Sequence, residues 1–364
     1  METDTITLLV NGETAFPEII RCIEQAKFSI EINMFIWRDD KIGNRIADAI
    51  LSAADRGVKV YLSVDRYGVL LEKCEECQKS FFHKTQFLSE KVKISVLKLM
   101  YPQNSRRGYI KDNHTAIYTR VIEHPNIVVS ADEFKADHSK YYIIDNEIIF
   151  LGGINIEDKE NGCDINGKIY GDYMVKLCGK KYIEAFRYKM NTGKNILDGL
   201  SFGINIKKPT RIFEMEQLYL DLISSAKTEL HITMAYFSPL KNFVDAIVAA
   251  HERGVHISVL IPEKANFQNN SNRLTVRKLL KATNGQIEVY LSPKMLHTKL
   301  VANDTYISLG STNITKKAFA QLNELNLFVR KTGSELEQTL AASISDDIKE
   351  AQRVRRYPQS SQSR

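Results

Sequence analysis

The feature that most constrains the fold of this chain is an internal repeat that contains a His-x-Lys pair. In the first copy, Lys140 follows His138 by two residues and Asp145 follows Lys140 by five. The second copy begins 159 residues later and keeps both spacings, with the residues His297, Lys299 and Asp304. A single His-x-Lys pair carries little information, but three residues repeated at fixed spacing predict two copies of one structural unit.

Each copy is predicted to form a β-hairpin that brings polar side chains together. In the first copy, apolar β-branched and aromatic residues flank Asp145 and the asparagine after it, a pair typical of hairpin turns. The alternation of a strand places His138 and Lys140 on one face, and the second strand returns Asn155 towards that face. We expect Asp145 and Asp304 to be structural and to bond turn amides. The residues after each turn are Gly152, Gly153 and Asn155 in one copy and Gly310, Ser311 and Asn313 in the other.

The repeat extends well beyond the hairpins. Residues 24–65, EQAKFSIEINMFIWRDDKIGNRIADAILSAADRGVKVYLSVD, match residues 224–262, SSAKTELHITMAYFSPLKNFVDAIVAAHERGVHISVLIP. In the first segment the pattern predicts a strand at 28–37, a helix at 41–56 and a strand at 58–64, which gives a parallel pair with a right-handed crossover. Two such units packed about a pseudo-twofold axis would bring their hairpins together. We therefore predict an α/β fold of two pseudo-twofold-related halves, with mixed sheets flanked by helices and one active site at their seam.

The predicted boundaries place one half at residues 1–200, the other at 201–353 and a basic, flexible tail at 354–364. Gly, Asp and Pro at residues 191–209 predict a linker between the halves. An insertion at 66–136 is expected in the first half, because 73 residues separate Asp65 from His138 whereas only 35 separate Pro262 from His297. The insertion either forms a wall of the active-site pocket or makes a surface excursion. Its loop-like part contains Arg106, Arg107 and Lys111.

Composition limits the class of protein. The chain has 364 residues, of which 43% are hydrophobic, and it contains no apolar run of about 18 residues, so no transmembrane helix is predicted. An N-terminus with early acidic residues and no basic segment argues against a signal peptide. Five scattered cysteines suit a reducing compartment, and Cys74 and Cys77 have no second pair at zinc-site spacing. A net charge of +6 fits a polyanion or an anionic lipid surface without choosing between them.

Two sets of histidine, lysine and asparagine suit phosphoryl chemistry. One imidazole can attack phosphorus while the other protonates the leaving oxygen, and the roles reverse when an alcohol or water resolves the phosphohistidine. Lysine and asparagine donors can stabilise a dianionic, five-coordinate phosphorus. The hairpins carry no acidic cluster at metal-binding spacing, which disfavours a two-metal phosphodiesterase. We therefore expect neither a metal nor another cofactor.

Each histidine also needs a partner for its second ring nitrogen. Asp172 lies 34 residues after His138, and Glu324 lies 27 residues after His297, each on an apparent strand. Their parallel placement predicts that these two carboxylates orient the histidines, although either could be a surface carboxylate.

At these residues the chain resembles the phospholipase D superfamily, which is defined by H-x-K-x4-D followed by G-G/S-x-N. The first copy reads HSKYYIID and GGIN, and the second reads HTKLVAND and GSTN. The resemblance covers residues 8–329 and implies two phospholipase D-like halves with one site between them. It further implies that His138 is the nucleophile and His297 the acid and base. The phosphate would be held by Lys140, Lys299, Asn155, Asn313 and Ser311, with Gly153 in place of a second serine.

Within the superfamily, FIWRDDKIGNRIADAILSAADRGVKVYLSVDRYG, FLGGIN, GDYMVKLCG and AYFSP resemble bacterial cardiolipin synthases. That branch implies transfer of a phosphatidyl group from phosphatidylglycerol to an alcohol, with release of glycerol and possible hydrolysis by water. It also implies an anionic phospholipid partner and a cytoplasmic protein attached peripherally to the membrane. The segments GSTNITKKAF and NNSNRLTVRKLL fit less closely and suit a nuclease-like relative.

The alternative hypothesis is therefore a metal-independent phosphodiesterase acting on nucleic acid. A binding module without catalysis is a third possibility, but it would require a broken motif, and both copies are intact. The sequence leaves the oligomeric state open.

Overall fold

Two mixed β-sheets with the same strand order form the centre of the molecule. The computed structural model describes residues 4–74, 80–82, 116–131, 133–162 and 170–355. The first sheet has the order β1-β8-β6-β5-β2-β3-β4, in which β2, β3 and β4 run parallel and the other neighbours antiparallel. The strands up to residue 178 are β1 (Thr5–Val10), β2 (Ser29–Met34), β3 (Lys59–Val64), β4 (Ile127–Ser130), β5 (Tyr141–Ile144), β6 (Ile148–Gly152), β7 (Tyr170–Gly171) and β8 (Tyr173–Cys178).

The second sheet has nine strands in the order β10-β9-β17-β16-β15-β11-β12-β13-β18. Its inner seven, from β9 to β13, repeat the order of the first sheet, with β10 and β18 added at the two edges. The strands are β9 (Leu200–Ile206), β10 (Ile212–Phe213), β11 (Glu229–Met234), β12 (His256–Pro262), β13 (Glu288–Ser292), β14 (Met295–Leu296), β15 (Lys299–Asn303), β16 (Tyr306–Gly310), β17 (Glu324–Arg330) and β18 (Gln352–Val354).

Helices cover the outer faces of both sheets and, at residues 180–192 and 335–350, pack into the layer between them. Their ends follow local sequence signals. The side chain of Asp40 accepts a hydrogen bond from the Gly43 amide at the start of α2, and Gly57 adopts a positive φ of 97° just after its end. Ser334 and Glu337 form the capping box at the start of α10. The helices are α1 (Asn11–Gln25), α2 (Lys41–Asp55), α3 (Arg66–Cys74), α4 (Ala116–Glu123), α5 (Lys180–Thr192), α6 (Met215–Ser224), α7 (Lys241–Glu252), α8 (Asn269–Ala282), α9 (Lys316–Gln321) and α10 (Glu335–Glu350), together with a 3₁₀ turn at Asp158–Asn161.

The hydrophobic core lies in three layers. Helices α1 and α2 bury apolar side chains such as Phe16 and Ile46 against the outer face of the first sheet. Helices α6, α7 and α8 do the same on the second sheet, with Phe243 among the buried residues. The middle layer joins the inner faces of both sheets, where residues such as Leu151 and Leu327 belong to one buried cluster. This α/β architecture of two related halves confirms the predicted fold class.

The predicted linker is wrong in its central part. Residues 200–206 form β9, which pairs with β17 inside the second sheet, and Phe202 and Ile204 are buried. The flanking Gly, Asp and Pro residues concealed the apolar character of this segment. The predicted boundary at 200/201 therefore falls inside a strand. Val354, taken as the first residue of the tail, pairs with Val289 at the edge of the second sheet, and residues 356–364 lie outside the described residues.

Much of the predicted insertion also lies outside the described residues, including Cys77, Arg106, Arg107 and Lys111. Helix α3, at its start, is described and reaches the cavity between the halves through Tyr67. Among the helices that the structure describes, we find none whose length and apolar content would suffice to span a bilayer.

Candidate active site

The two predicted hairpins form, although their turns differ in conformation. Strand β5 pairs with β6, and β15 pairs with β16. Asp145 and Asn146 both have φ of 53°, the conformation of a two-residue turn that matches the twist of the strands. Each hairpin thus fixes the position of the His-x-Lys segment that enters it.

The turn aspartates stabilise the neighbouring strand rather than their own turn. The carboxylate of Asp145 accepts hydrogen bonds from the amides of residues 27, 28 and 29 at 2.7–2.9 Å. Asp304 accepts from the amides of residues 227, 228 and 229 in the same way. Their structural role stays a prediction, and their partners are amides at the start of β2 and β11 instead of turn amides.

Both histidines line a single cavity of about 300 Å³ between the halves. His138 and His297 are 8% and 6% exposed, so the cavity holds them largely away from water. Asn155 and Asn313 line the same cavity. Its remaining wall is rich in aromatic side chains, among them Phe35, Tyr67, Tyr170, Tyr236 and Phe267.

Each half supplies the carboxylate that lies beside the histidine of the other half. Nδ1 of His138 lies 3.1 Å from a carboxylate oxygen of Glu324, and Nδ1 of His297 lies 2.9 Å from one of Asp172. Where β6 pairs with β8, Gly152 lies opposite Met174, and where β16 pairs with β17, the equivalent Gly310 lies opposite Asn326. Asp172, immediately before β8, and Glu324, the first residue of β17, each lie two residues before these positions and are therefore equivalent, but each contacts the histidine of the other half.

The main chain of each histidine also forms a hydrogen bond with the opposite half. The amide of His138 donates to the carbonyl oxygen of Asn323 at 2.9 Å, and the amide of His297 donates to that of Gly171 at 2.7 Å. Strands β7 and β14 also pair across the seam. Each histidine is thus held through its backbone by the opposite half, which also places a carboxylate beside Nδ1 of its ring.

The two motif lysines lie behind the histidines. Nζ of Lys140 donates to the carbonyl oxygen of His138 at 2.5 Å, and Nζ of Lys299 donates to that of His297. Both side chains are buried. Burial and the charge of Lys299 lower the pKa of Lys140 to about 7, so an anion in the cavity would favour its charged form.

Ser311 does not face the cavity as the resemblance implied. It is fully buried, its hydroxyl donates to a carboxylate oxygen of Glu324, and it accepts a hydrogen bond from the Leu325 amide at 3.0 Å. At the equivalent Gly153, a Cβ atom would lie only 2.3 Å from Oδ2 of Asp172. The first half therefore has glycine where the shorter carboxylate needs the space, and the second half has a serine that holds the longer one.

The histidines differ in their electrostatic surroundings. Burial and the charges of Lys140 and Lys299 lower the pKa of His138 well below its usual value. Burial and Lys299 act in the same direction on His297, but Glu160 and Asp172 outweigh them and raise its pKa. The structure thus favours a neutral imidazole at 138 and an imidazolium at 297.

The carboxylates differ as well. Burial raises the pKa of Glu324 to about 8, although Lys140 and Ser311 act to lower it. Burial acts to raise the pKa of Asp172 too, but Lys299 and His297 lower it below its usual value. The ion pair at His297 is therefore the more strongly charged of the two.

Several residues of the cavity wall were missed by the sequence analysis, among them Glu160, Lys159 and Lys317. Glu160 lies 3.1 Å from Nδ1 of His297. Lys159 lies 3.2 Å from Glu157, and Lys317 donates to the hydroxyl of Tyr67 at 2.9 Å. A signal for the lysines was present, because each lies four residues after its motif asparagine.

Glu160, Asp172 and His297 place potential metal-ligating atoms within 4.8 Å of one another. Nζ of Lys299 lies 3.3 Å from the Asp172 carboxylate, and the pKa of His297 is raised. The carboxylates therefore already have cationic partners in the protein, and the group is better described as an ion-pair network than as a metal site.

Both the family model and two related sequences that match this chain are those of cardiolipin synthases. The family model described as "Cardiolipin synthase, PLD-like domain" matches residues 19–170 and 219–348. Cardiolipin synthase B of Salmonella typhimurium is 25% identical over 374 residues, which cover 96% of this chain and 82% of that protein. A probable cardiolipin synthase of Bacillus subtilis is 25% identical over 372 residues, which cover 96% of this chain and 67% of that protein.

Among solved structures, phosphatidylserine synthase of Haemophilus influenzae has the same fold. The TM-score is 0.70 at 14% sequence identity, and the match covers 97% of this chain and 88% of that chain. The whole two-half architecture is therefore shared with a known protein.

Proposed function

The chain belongs to the cardiolipin synthase family of phospholipase D-like domains and is an enzyme of that superfamily, and from this premise we propose its reaction. It transfers a phosphatidyl group, through a phosphohistidine intermediate, to an alcohol acceptor. With phosphatidylglycerol as both donor and acceptor, the products are cardiolipin and glycerol. Water in place of the alcohol gives phosphatidic acid by phospholipase D hydrolysis.

The observation that carries this proposal is that two histidines line one cavity and that their pKa values are shifted in opposite directions. The ring of His138 uses Nδ1 for Glu324, which leaves Nε2 as the nucleophile. As the bond from Nε2 to phosphorus forms, the bond from phosphorus to the glycerol oxygen breaks, and His297 gives its proton to that oxygen. In the second half of the reaction His297 takes the proton of the acceptor hydroxyl, whose oxygen attacks phosphorus and displaces His138.

The other predicted site residues support the charged intermediate. Lys140 and Lys299 place two ammonium groups directly behind the histidines, where they oppose the negative charge that develops on phosphorus. Asn155 and Asn313 line the cavity and can donate amide hydrogens to the phosphoryl oxygens. Glu324 and Asp172 act as positioning residues for the two imidazoles.

The size and lining of the cavity support a lipid head group as substrate. A volume of about 300 Å³ suits a phosphoglycerol head group but not a whole diacyl lipid. The acyl chains would therefore stay in the bilayer while the head group enters the cavity. We accordingly propose peripheral association with the membrane surface, on its cytoplasmic side.

The test uses the full chain with vesicles that contain phosphatidylglycerol. We expect free glycerol in an amount equal to the sum of cardiolipin and phosphatidic acid, because both reactions release it, and on the order of a thousandfold less product from His138→Ala. A parallel incubation with single-stranded and double-stranded DNA tests the nucleic acid alternative. Cleavage of DNA without any lipid product would replace lipid transfer by that alternative.

A further inference from the structure

The ring of His297 contacts two carboxylates, and the second of them is absent from the sequence motifs. Glu160 belongs to the 3₁₀ turn Asp158–Asn161, is 1% exposed, and places Oε1 3.1 Å from Nδ1 of His297. Asp172 contacts the same nitrogen at 2.9 Å. Two buried carboxylates on one imidazole nitrogen exceed what orientation of the ring alone requires.

The other half has no such group at the equivalent position. The amide of Arg38 donates to the carbonyl oxygen of Ile156 at 2.9 Å, and the amide of Ser238 donates to that of Ile314 at 3.0 Å. Because each half makes this same contact, the two sequences can be aligned residue by residue just beyond the motif asparagines. Counting five residues from each asparagine gives Glu160 in the first half and Ala318 in the second, and both line the cavity.

We propose that Glu160 keeps His297 protonated and so gives the nearly symmetric site its direction. Glu160 acts as a positioning residue through His297. Its effect makes His297 the proton donor and leaves His138 to attack first. This inference rests on the reaction proposed above and extends it to a residue that the repeated motif does not contain.

The charged groups around each ring support this assignment. His297 is faced by Glu160 and Asp172, with Lys299 opposing them. Burial also raises the pKa of Glu160, and the charge of His297 opposes that rise, so the two charges depend on each other. Around the other ring, among the described residues, the groups are Glu324, Lys140, Lys299, His297 and Lys317.

The role of Glu160 can be tested by comparing two substrates, one whose leaving group needs a proton and one whose leaving group does not. Departure of glycerol as an alcohol requires the proton of His297, which moves to the leaving oxygen as the bond to phosphorus breaks. Departure of p-nitrophenolate requires no proton, because that anion is stable in water. A residue that acts only by protonating His297 therefore matters for the first substrate and not for the second.

The test is Glu160→Gln, which keeps the shape of the side chain and removes its charge. With phosphatidylglycerol we expect the alkaline limb of kcat/KM to move to lower pH by roughly one unit or more, and the rate above that limb to fall about tenfold. The first-turnover burst of p-nitrophenol from phosphatidyl-p-nitrophenol should stay within about twofold of the wild type. Asp158→Asn is the control, because that carboxylate lies on the same turn but accepts from the Ile42 amide.

A measurement without turnover makes the test independent of lipid assays. In carbon-13 histidine NMR spectra, the resonance assigned to His297 by its loss in His297→Asn should titrate at lower pH in Glu160→Gln. An unchanged titration, or an equal loss with both substrates at every pH, would overturn the inference. If the wild type acts on neither lipid while His297 still shows the shift, the proposed reaction fails and the electrostatic role of Glu160 stands.

Discussion

Replacing Ser311 by alanine removes a single hydrogen bond from the buried carboxylate that orients His138. The hydroxyl of Ser311 donates to Glu324. Burial raises the pKa of this carboxyl group to about 8. Glu324 must be ionised to hold the Nδ1–H tautomer of His138 and leave Nε2 free to attack. Loss of the serine hydroxyl should therefore raise the pKa of Glu324 further and weaken the nucleophile on the acid side of the profile.

The size of the effect follows from the contact. A hydrogen bond to a charged group contributes about 1.5–3 kcal/mol, and one pKa unit corresponds to about 1.4 kcal/mol. Ser311→Ala should thus move the acid limb of kcat/KM upwards by about one to two units. Well below the limb the rate should fall about 10- to 100-fold, and the loss should shrink as the pH rises.

The assay is the pH dependence of kcat/KM for phosphatidylglycerol in mixed micelles. Thr312→Val is the matched control, because this adjacent hydroxyl is equally buried but donates to Asn326, and it should leave the limb in place. A direct contact of Ser311 with phosphate would instead reduce kcat/KM by the same factor at every pH. That result would refute a role for the Ser311 hydroxyl in keeping Glu324 ionised.

Three further outcomes are expected. His138→Ala and His297→Ala should each reduce phosphatidylglycerol turnover by on the order of a thousandfold or more with an unchanged melting temperature, and the double variant should be no worse, because the pair acts as a unit; additive losses would contradict this. Asp304→Ala should lower the free energy of unfolding by roughly 1–2 kcal/mol in urea titrations at neutral pH. Burial acts to raise the pKa of Asp304, but hydrogen bonds from the Thr228 hydroxyl and from amides 227–229 outweigh it and lower that pKa to about 2, so the difference from the wild type should vanish as the pH falls through that value. Turnover should survive dialysis against EDTA, and a loss that added divalent metal restores would count against the ion-pair description of the site.

The sequence was sufficient for features that depend on short-range pattern. Period-two alternation and the Asp145 turn predicted the hairpins, and the repeated β-α-β segment predicted parallel β2 and β3. The parallel placement of Asp172 and Glu324, which lie 34 and 27 residues after the histidines of their motifs, predicted that the two have the same role. These inferences succeeded because each depends on residues only a few positions apart or on a direct comparison of the two copies.

Features that depend on long-range packing were not accessible in the same way. Which histidine each carboxylate contacts is decided by the crossing of strands at the seam, and spacing within one half carries no information about it. The turn formers around residues 200–206 predict a linker, yet these residues take the place in the second sheet that β1 takes in the first. Glu160 could not be found from the repeat, because a repeat identifies the residues that both copies share, whereas the effect of Glu160 depends on its difference from Ala318.

The buried layer between the two sheets has a consequence for lipid exchange. Side chains from both halves form one continuous apolar cluster there, so separating the halves would expose that cluster to water, and the seam cannot serve as a hinge. The head group must instead pass through the rim of the cavity, where Lys317 of α9 reaches across to Tyr67 of α3. Entry through this rim would leave the seam closed, so the two imidazoles would keep their separation through every turnover.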